Sequence, residues 1–151
     1  MSNRINIQKT TPAAYKAMFN LSTYVHNTGI SHTHFDLINI RTSQINGCAF
    51  CLDMHTQEAL AHGENAQRIF TLNAWDETTF FDEKERAILK LTEEVTLIPN
   101  RVSDATYNQA AELFDEEYLS HIIMAIVAIN CWNRIAITTQ LQPALRNAVT
   151  A

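Results

Sequence analysis

Residues 46–55 read Asn-Gly-Cys-Ala-Phe-Cys-Leu-Asp-Met-His, and the rest of the chain is interpreted outward from this stretch. Asn46-Gly47 interrupts one helix and Cys48 begins the next. At about 100° per residue, Cys48, Cys51 and His55 fall within about 60° of one another on the new helix. Two cysteines three residues apart at the start of a helix can close a short disulfide or share a metal ion.

His55 favours reactive thiol chemistry at this site. It follows Cys51 by four residues, the spacing at which helical side chains touch. An imidazole beside a thiol can take its proton and leave the thiolate, which is the reactive form, and the positive end of the helix dipole favours the thiolate further. The pattern therefore predicts redox chemistry.

Two alternatives to redox chemistry remain open at this point. The cysteines can be small buried hydrophobes, or they can bind zinc. For zinc, Cys48, Cys51, His55 and Asp36 are a conceivable ligand set, although the sequence has no second Cys-x-x-Cys and no His-x-x-x-His.

The composition excludes several other classes of protein. The chain has 151 residues, a net charge of −5, and only three glycines and three prolines. So few turn residues disfavour a sandwich or barrel and predict an all-α fold, in one domain spanning residues 1–151. The acidic balance argues against nucleic acid. An apolar run of about eight residues, from Ile122 to Ile129, is too short for a membrane span.

The cysteine count and the N-terminal sequence bear on the compartment. Three cysteines are an odd number, which argues against a secreted disulfide framework. The N-terminal sequence also lacks the charged start and apolar run of a signal peptide. We therefore expect a cytoplasmic protein, and we predict no bound cofactor and no metal.

Helix signals divide the chain into seven predicted helices and no sheet. A helix starts at Thr11-Pro12 and ends before Gly29, and Asp82 with Glu85 forms a capping box. The predicted helices start near residues 12, 31, 48, 65, 83, 104 and 116. Residues 73–81 are expected to form a loop. The β-branched residues 135–137 are assigned to the last helix, because no partner strand is visible.

Residues 36–55, followed by Glu58-Ala59 and Gly63, resemble the alkylhydroperoxidase D-like (AhpD-like) branch of the carboxymuconolactone decarboxylase superfamily. The Cys-x-x-Cys-x-x-x-His core is the most diagnostic part. A later stretch, residues 128–136, reads Ala-Ile-Asn-Cys-Trp-Asn-Arg-Ile-Ala and matches small single-domain members. The resemblance covers roughly residues 12–140 and implies an AhpD-like helical domain that forms homo-oligomers, as trimers or hexamers.

The resemblance also implies an activity and roles for four residues. The activity is thiol-dependent reduction of hydroperoxides, supplied with electrons by a dithiol reductant such as a lipoyl domain or a thioredoxin-like protein. Cys51 corresponds to the thiol that attacks the peroxide, Cys48 to the resolving thiol and His55 to the relay base. Asp36 occupies the position of a relay glutamate and is one methylene shorter. Phe50 stands where some members have a second histidine.

Other functions remain as alternatives at the sequence level. One is a lyase of the carboxymuconolactone decarboxylase type, whose chemistry does not call for a cysteine pair. Another is a non-catalytic oligomeric module that senses redox state or binds zinc. We expect His62 to be a favourably placed helix-end histidine, Glu58 to have a supporting role, and Cys131 to be buried and inert.

Overall fold

The computed structural model describes residues 4–146, and within this range every regular element is a helix. The predicted all-α class is therefore confirmed. Eight α-helices follow one another: α1 (Ile7–Thr10), α2 (Pro12–His26), α3 (His32–Asn46), α4 (Ala49–Ala61), α5 (Ala66–Thr71), α6 (Glu83–Thr96), α7 (Asp104–Leu113) and α8 (Glu116–Thr139).

Side-chain caps fix most of the helix starts. Ser31, Ser103 and Asp115 each accept a hydrogen bond from a backbone N–H in the first turn of α3, α7 and α8. Before α6, Asp82 and Glu85 form both hydrogen bonds of the predicted capping box. These short polar side chains satisfy N–H groups that have no partner within the helix. The starts could be placed from sequence for that reason.

Two parts of the predicted helix map are wrong. A short additional helix, α1, precedes Pro12, so the described residues contain eight helices rather than seven. The expected loop at residues 73–81 is partly helical, because a 3-10 segment (Leu72–Glu77) continues from α5 through a kink at Ala74. Trp75 in this segment is buried, and its indole N–H donates to Glu93. Burial of one aromatic ring and its hydrogen bond thus orders a segment without helical periodicity.

Helix α8 is the central helix and contacts α2, α3, α4, α6 and α7. By length and composition alone it is apolar enough to cross a membrane. Its buried residues, however, include Leu119, Ile122, Ile126, Ile129 and Asn133, which follow the three- and four-residue spacing of one packed helix face. The core helix of a soluble protein has the same features, and we assign α8 to that class.

Candidate active site

The Cys-x-x-Cys segment lies at the turn between α3 and α4. Gly47 ends α3 with φ +69°, a left-handed conformation that costs glycine little. Cys48 is the N-cap of α4, and its sulfur accepts the backbone N–H of Cys51 at 3.3 Å. Cys48 and Cys51 form a disulfide with their Cα atoms 5.3 Å apart. The structure thus joins the two sulfurs, which is one of the arrangements that their spacing allows.

A cleft of about 1220 Å³ lies beside the disulfide and is bounded by α2, α3, α4, α8 and the N-terminal segment. Cys51 lines this cleft, whereas Cys48 does not. Aromatic side chains make up much of the wall: Tyr15, Phe19, Phe35, Phe50 and Trp132. The histidines and carboxylates that line it are His26, Asp36, His55, Glu58 and His62. One of the two disulfide sulfurs therefore faces a largely apolar cleft.

Two histidine–carboxylate pairs face this cleft, and their partners differ from the sequence expectation. His55 Nδ1 lies 2.7 Å from Glu58 Oε2, and His62 Nδ1 lies 2.8 Å from Asp36 Oδ2. The structure thus joins Asp36 to His62 rather than to His55. The i,i+3 spacing of His55 and Glu58 on one helix was the sequence signal for the first pair.

Burial and charge act differently on the two carboxylates. Burial raises the pKa of Asp36 above its ordinary value; the hydrogen bond and charge of His62 oppose this, and the charge of Glu58 adds to it. Asp36 is 2% exposed, and its Oδ1 has no hydrogen-bond partner. The hydrogen bond from His55 lowers the pKa of Glu58, with partial burial opposing. The lowered pKa of Glu58 favours its carboxylate form, which accepts a hydrogen bond from His55 Nδ1 when that nitrogen carries the proton.

A buried polar network fixes the turn that carries the cysteines. The Asn46 side-chain amide donates to Asn130 Oδ1 at 3.0 Å and to Asn133 Oδ1 at 2.9 Å, both on α8. Asn133 in turn donates to Ser43 Oγ on α3, and Arg134 donates to Asn130. The end of α3, two residues before Cys48, is thereby tied to the central helix. The sequence pointed to partners for the α8 asparagines but did not identify Asn46 as one of them.

The structure also bears on the zinc alternative and on two further side chains. Among residues 4–146, no group of three or more His, Cys, Asp or Glu side chains is arranged to hold a metal ion, so the zinc alternative has no geometric support there. Cys131 is a free thiol on α8 and is half-buried rather than buried as expected. The rings of His32 and His62 lie in contact, with centroids 4.3 Å apart and planes tilted by 36°.

The helical hairpin that carries the disulfide and His55 lies within the part of the chain that matches a known family. Residues 12–94 match the model of the carboxymuconolactone decarboxylase family, and the chain belongs to that family. The AhpD-like resemblance inferred from residues 36–55 is thereby confirmed.

Particular relatives place the chain more closely. It is 44% identical to the uncharacterised protein YdfG of Bacillus subtilis over 138 residues, which is 91% of this chain and 94% of YdfG. A 45-residue stretch is 38% identical to the alkyl hydroperoxide reductase AhpD of Hyphomonas neptunium, covering 30% of this chain and 25% of that protein.

One similar solved structure has almost the same extent as this chain. It is an Agrobacterium tumefaciens protein of unknown function, described as a candidate antioxidant defence protein AhpD. Its TM-score is 0.93 at 38% identity, with 97% of this chain and 100% of that chain covered.

Proposed function

We propose that the protein reduces hydroperoxides, using Cys48 and Cys51 as a redox pair and a dithiol as the electron donor. The observation that carries the proposal is the position of the pair. The two sulfurs are close enough to be joined, Cys51 lines the cleft, and His55 lies one helical turn further along the same face. A decarboxylase would need neither sulfur.

The oxidative half-reaction uses Cys51 and His55. His55 takes the proton of the Cys51 thiol, and the thiolate attacks the terminal oxygen of the hydroperoxide. The O–O bond breaks, the alkoxide leaves as an alcohol after taking the proton back from His55, and Cys51 becomes a sulfenic acid. Cys48 then attacks the sulfenic sulfur, water leaves, and the Cys48–Cys51 disulfide forms.

The reductive half-reaction returns both thiols. A thiolate of the donor attacks one sulfur of the disulfide and forms a mixed disulfide with it. The second donor thiol then displaces the protein thiolate, so that the donor leaves as its own disulfide. Over the cycle, one hydroperoxide and one dithiol become one alcohol, one water molecule and one oxidised donor.

Two local features support the proposed reaction, one at Cys51 and one in the cleft. It lies in the first turn of α4, where the unpaired backbone N–H groups carry partial positive charge. The aromatic wall of the cleft also suits the organic part of an alkyl or aryl hydroperoxide, because the transfer of such groups out of water lowers the free energy.

The proposal also includes a reductant, an oligomeric state and a cellular location. We expect a lipoyl domain or a thioredoxin-like protein as the reductant, a homo-oligomer in the form of a trimer or hexamer, and a cytoplasmic location. One domain is expected to contain the whole activity.

Steady-state consumption of cumene hydroperoxide with excess dithiothreitol tests the activity. We expect turnover by the wild type and by Cys131→Ser, because Cys131 takes no part in the chemistry. Cys51→Ser should show no turnover above the reagent blank. Turnover should survive treatment with a metal chelator. A wild type no faster than Cys51→Ser, or activity that is lost with the chelator and restored by zinc, would contradict the proposal.

A further inference from the structure

Two carboxylates lie level with each other across the α3–α4 hairpin. Asp36 precedes Gly47 by eleven residues, and Glu58 follows it by eleven. On α4, His55 lies about one turn before Glu58, and His62 about one turn after it. Either carboxylate is therefore placed between two imidazoles, and the sequence alone leaves their pairing open.

The structure shows which carboxylate pairs with which histidine. The longer Glu58 side chain takes His55 on its own helix at 2.7 Å, and the shorter Asp36 takes His62 at 2.8 Å. Like charges repel, and the charge of Glu58 adds to the raised pKa of Asp36. Each carboxylate therefore has its own imidazole as a hydrogen-bond partner.

We infer that Glu58, rather than Asp36, is the positioning residue that orients His55 towards Cys51, and that Asp36 serves His62 instead. The inference deepens the proposed function by replacing the relay carboxylate that the family resemblance implies. Glu58 accepts a hydrogen bond from the Nδ1–H group of His55 and thereby leaves Nε2 as the nitrogen that can take a proton from Cys51. Its negative charge also stabilises His55 once the proton has arrived.

The distances favour an effect of Glu58 on Cys51 through His55 over direct electrostatic repulsion between Glu58 and the Cys51 thiolate. Seven residues separate the two along α4, which is a rise of about 10 Å and comparable with the screening length in ordinary salt. The contact between Glu58 and His55 is direct. Loss of the Glu58 charge therefore acts on Cys51 mainly through His55, and it makes the Cys51 thiolate harder to form.

Several other titratable groups face this cluster, and all of them except Asp36 are common to every variant proposed below. They are His26 from α2, Asp36 and His32 from α3, His62 from α4, and Arg4 and Lys9 at the N-terminal edge of the cleft. The cleft-lining residues of α8 itself, between Ala125 and Thr139, do not titrate. The comparison between Glu58 and Asp36 variants therefore isolates the two carboxylates.

The rate of alkylation of Cys51 by iodoacetamide, followed against pH, tests the inference without any peroxide. The reduced protein carries Cys48→Ser, which keeps an N-cap oxygen for α4 and leaves Cys51 as the one thiol of the motif. Mass spectrometry separates modification of Cys51 from that of Cys131, which serves as an internal reference. The variants are Glu58→Gln, Glu58→Asp, Asp36→Asn and, as a matched control, the exposed Glu112→Gln.

We expect Glu58→Gln to move the pH midpoint of Cys51 alkylation upward by about one unit and to slow alkylation up to tenfold below that midpoint. Glu58→Asp should recover part of the shift, because it keeps the charge. Asp36→Asn and Glu112→Gln should leave the midpoint within about 0.3 unit of the parent.

Two results would overturn the inference: a midpoint unchanged in Glu58→Gln, or a shift in Asp36→Asn as large as that in Glu58→Gln. Because alkylation requires only a free thiol, both results stand whether or not the protein turns over hydroperoxide. Failure of the proposed activity is thereby distinguishable from failure of this assignment.

Discussion

At the residue scale, the surroundings of Asp36 are unfavourable for a charged side chain. It is almost fully buried, one of its oxygens has no partner, and its single hydrogen bond is to His62. A carboxylate in such a place lowers stability unless its charge is well paired. The raised pKa of Asp36 expresses this cost, since burial disfavours the ionised form.

This predicts how Asp36→Asn changes the pH dependence of stability. A carboxyl group whose pKa is raised on folding holds its proton more tightly in the native state. The wild type therefore loses stability relative to the variant as pH rises from about 4 through the raised native pKa. Urea unfolding of both proteins between about pH 4 and pH 7 checks this. A variant that becomes steadily worse than wild type as pH rises would show that Asp36 is stabilised as the anion.

At the scale of elements, the turn between α3 and α4 is held from outside by α8. The side chain of Asn46 bridges the turn to both Asn130 and Asn133, and Asn133 is fully buried. The position of Cys48 relative to the cleft therefore depends on a third helix nearly ninety residues away in sequence.

Replacing Asn133 should weaken this link. Asn133→Ala leaves Asn46 with one acceptor fewer and Ser43 without its donor, so we expect a loss of about 1–3 kcal/mol in the free energy of unfolding. Asn108→Ala, at an exposed position of α7, is the matched control and should change stability by less than about 0.5 kcal/mol. Chemical denaturation measures both. Equal stabilities for the two variants would mean that the network does not hold the turn.

The same elements show what sequence could and could not establish. Caps and helical spacing are local, so Asp82 with Glu85 and the common face of Cys51 and His55 were open to prediction. Which carboxylate pairs with which histidine depends on the position of α3 along the axis of α4. That position is set by packing across the break at Gly47, where helical phase is lost, and so the sequence did not place Asp36 beside His62.

At the scale of the whole molecule, the fold serves to place one thiol on the wall of a cleft and a second thiol behind it. The central helix α8 supplies the floor and anchors the turn, while α4 supplies Cys51, His55 and Glu58 in successive turns. We propose that this arrangement couples hydroperoxide cleavage to formation of the Cys48–Cys51 disulfide.

A single-turnover experiment tests that coupling most directly. The reduced protein is mixed with one equivalent of cumene hydroperoxide, quenched in acid, and analysed for alcohol by chromatography and for disulfides by mass spectrometry. We predict one alcohol and one Cys48–Cys51 disulfide per chain, with Cys131 still a thiol. Consumption of hydroperoxide without this disulfide, or with a disulfide that contains Cys131, would contradict the account.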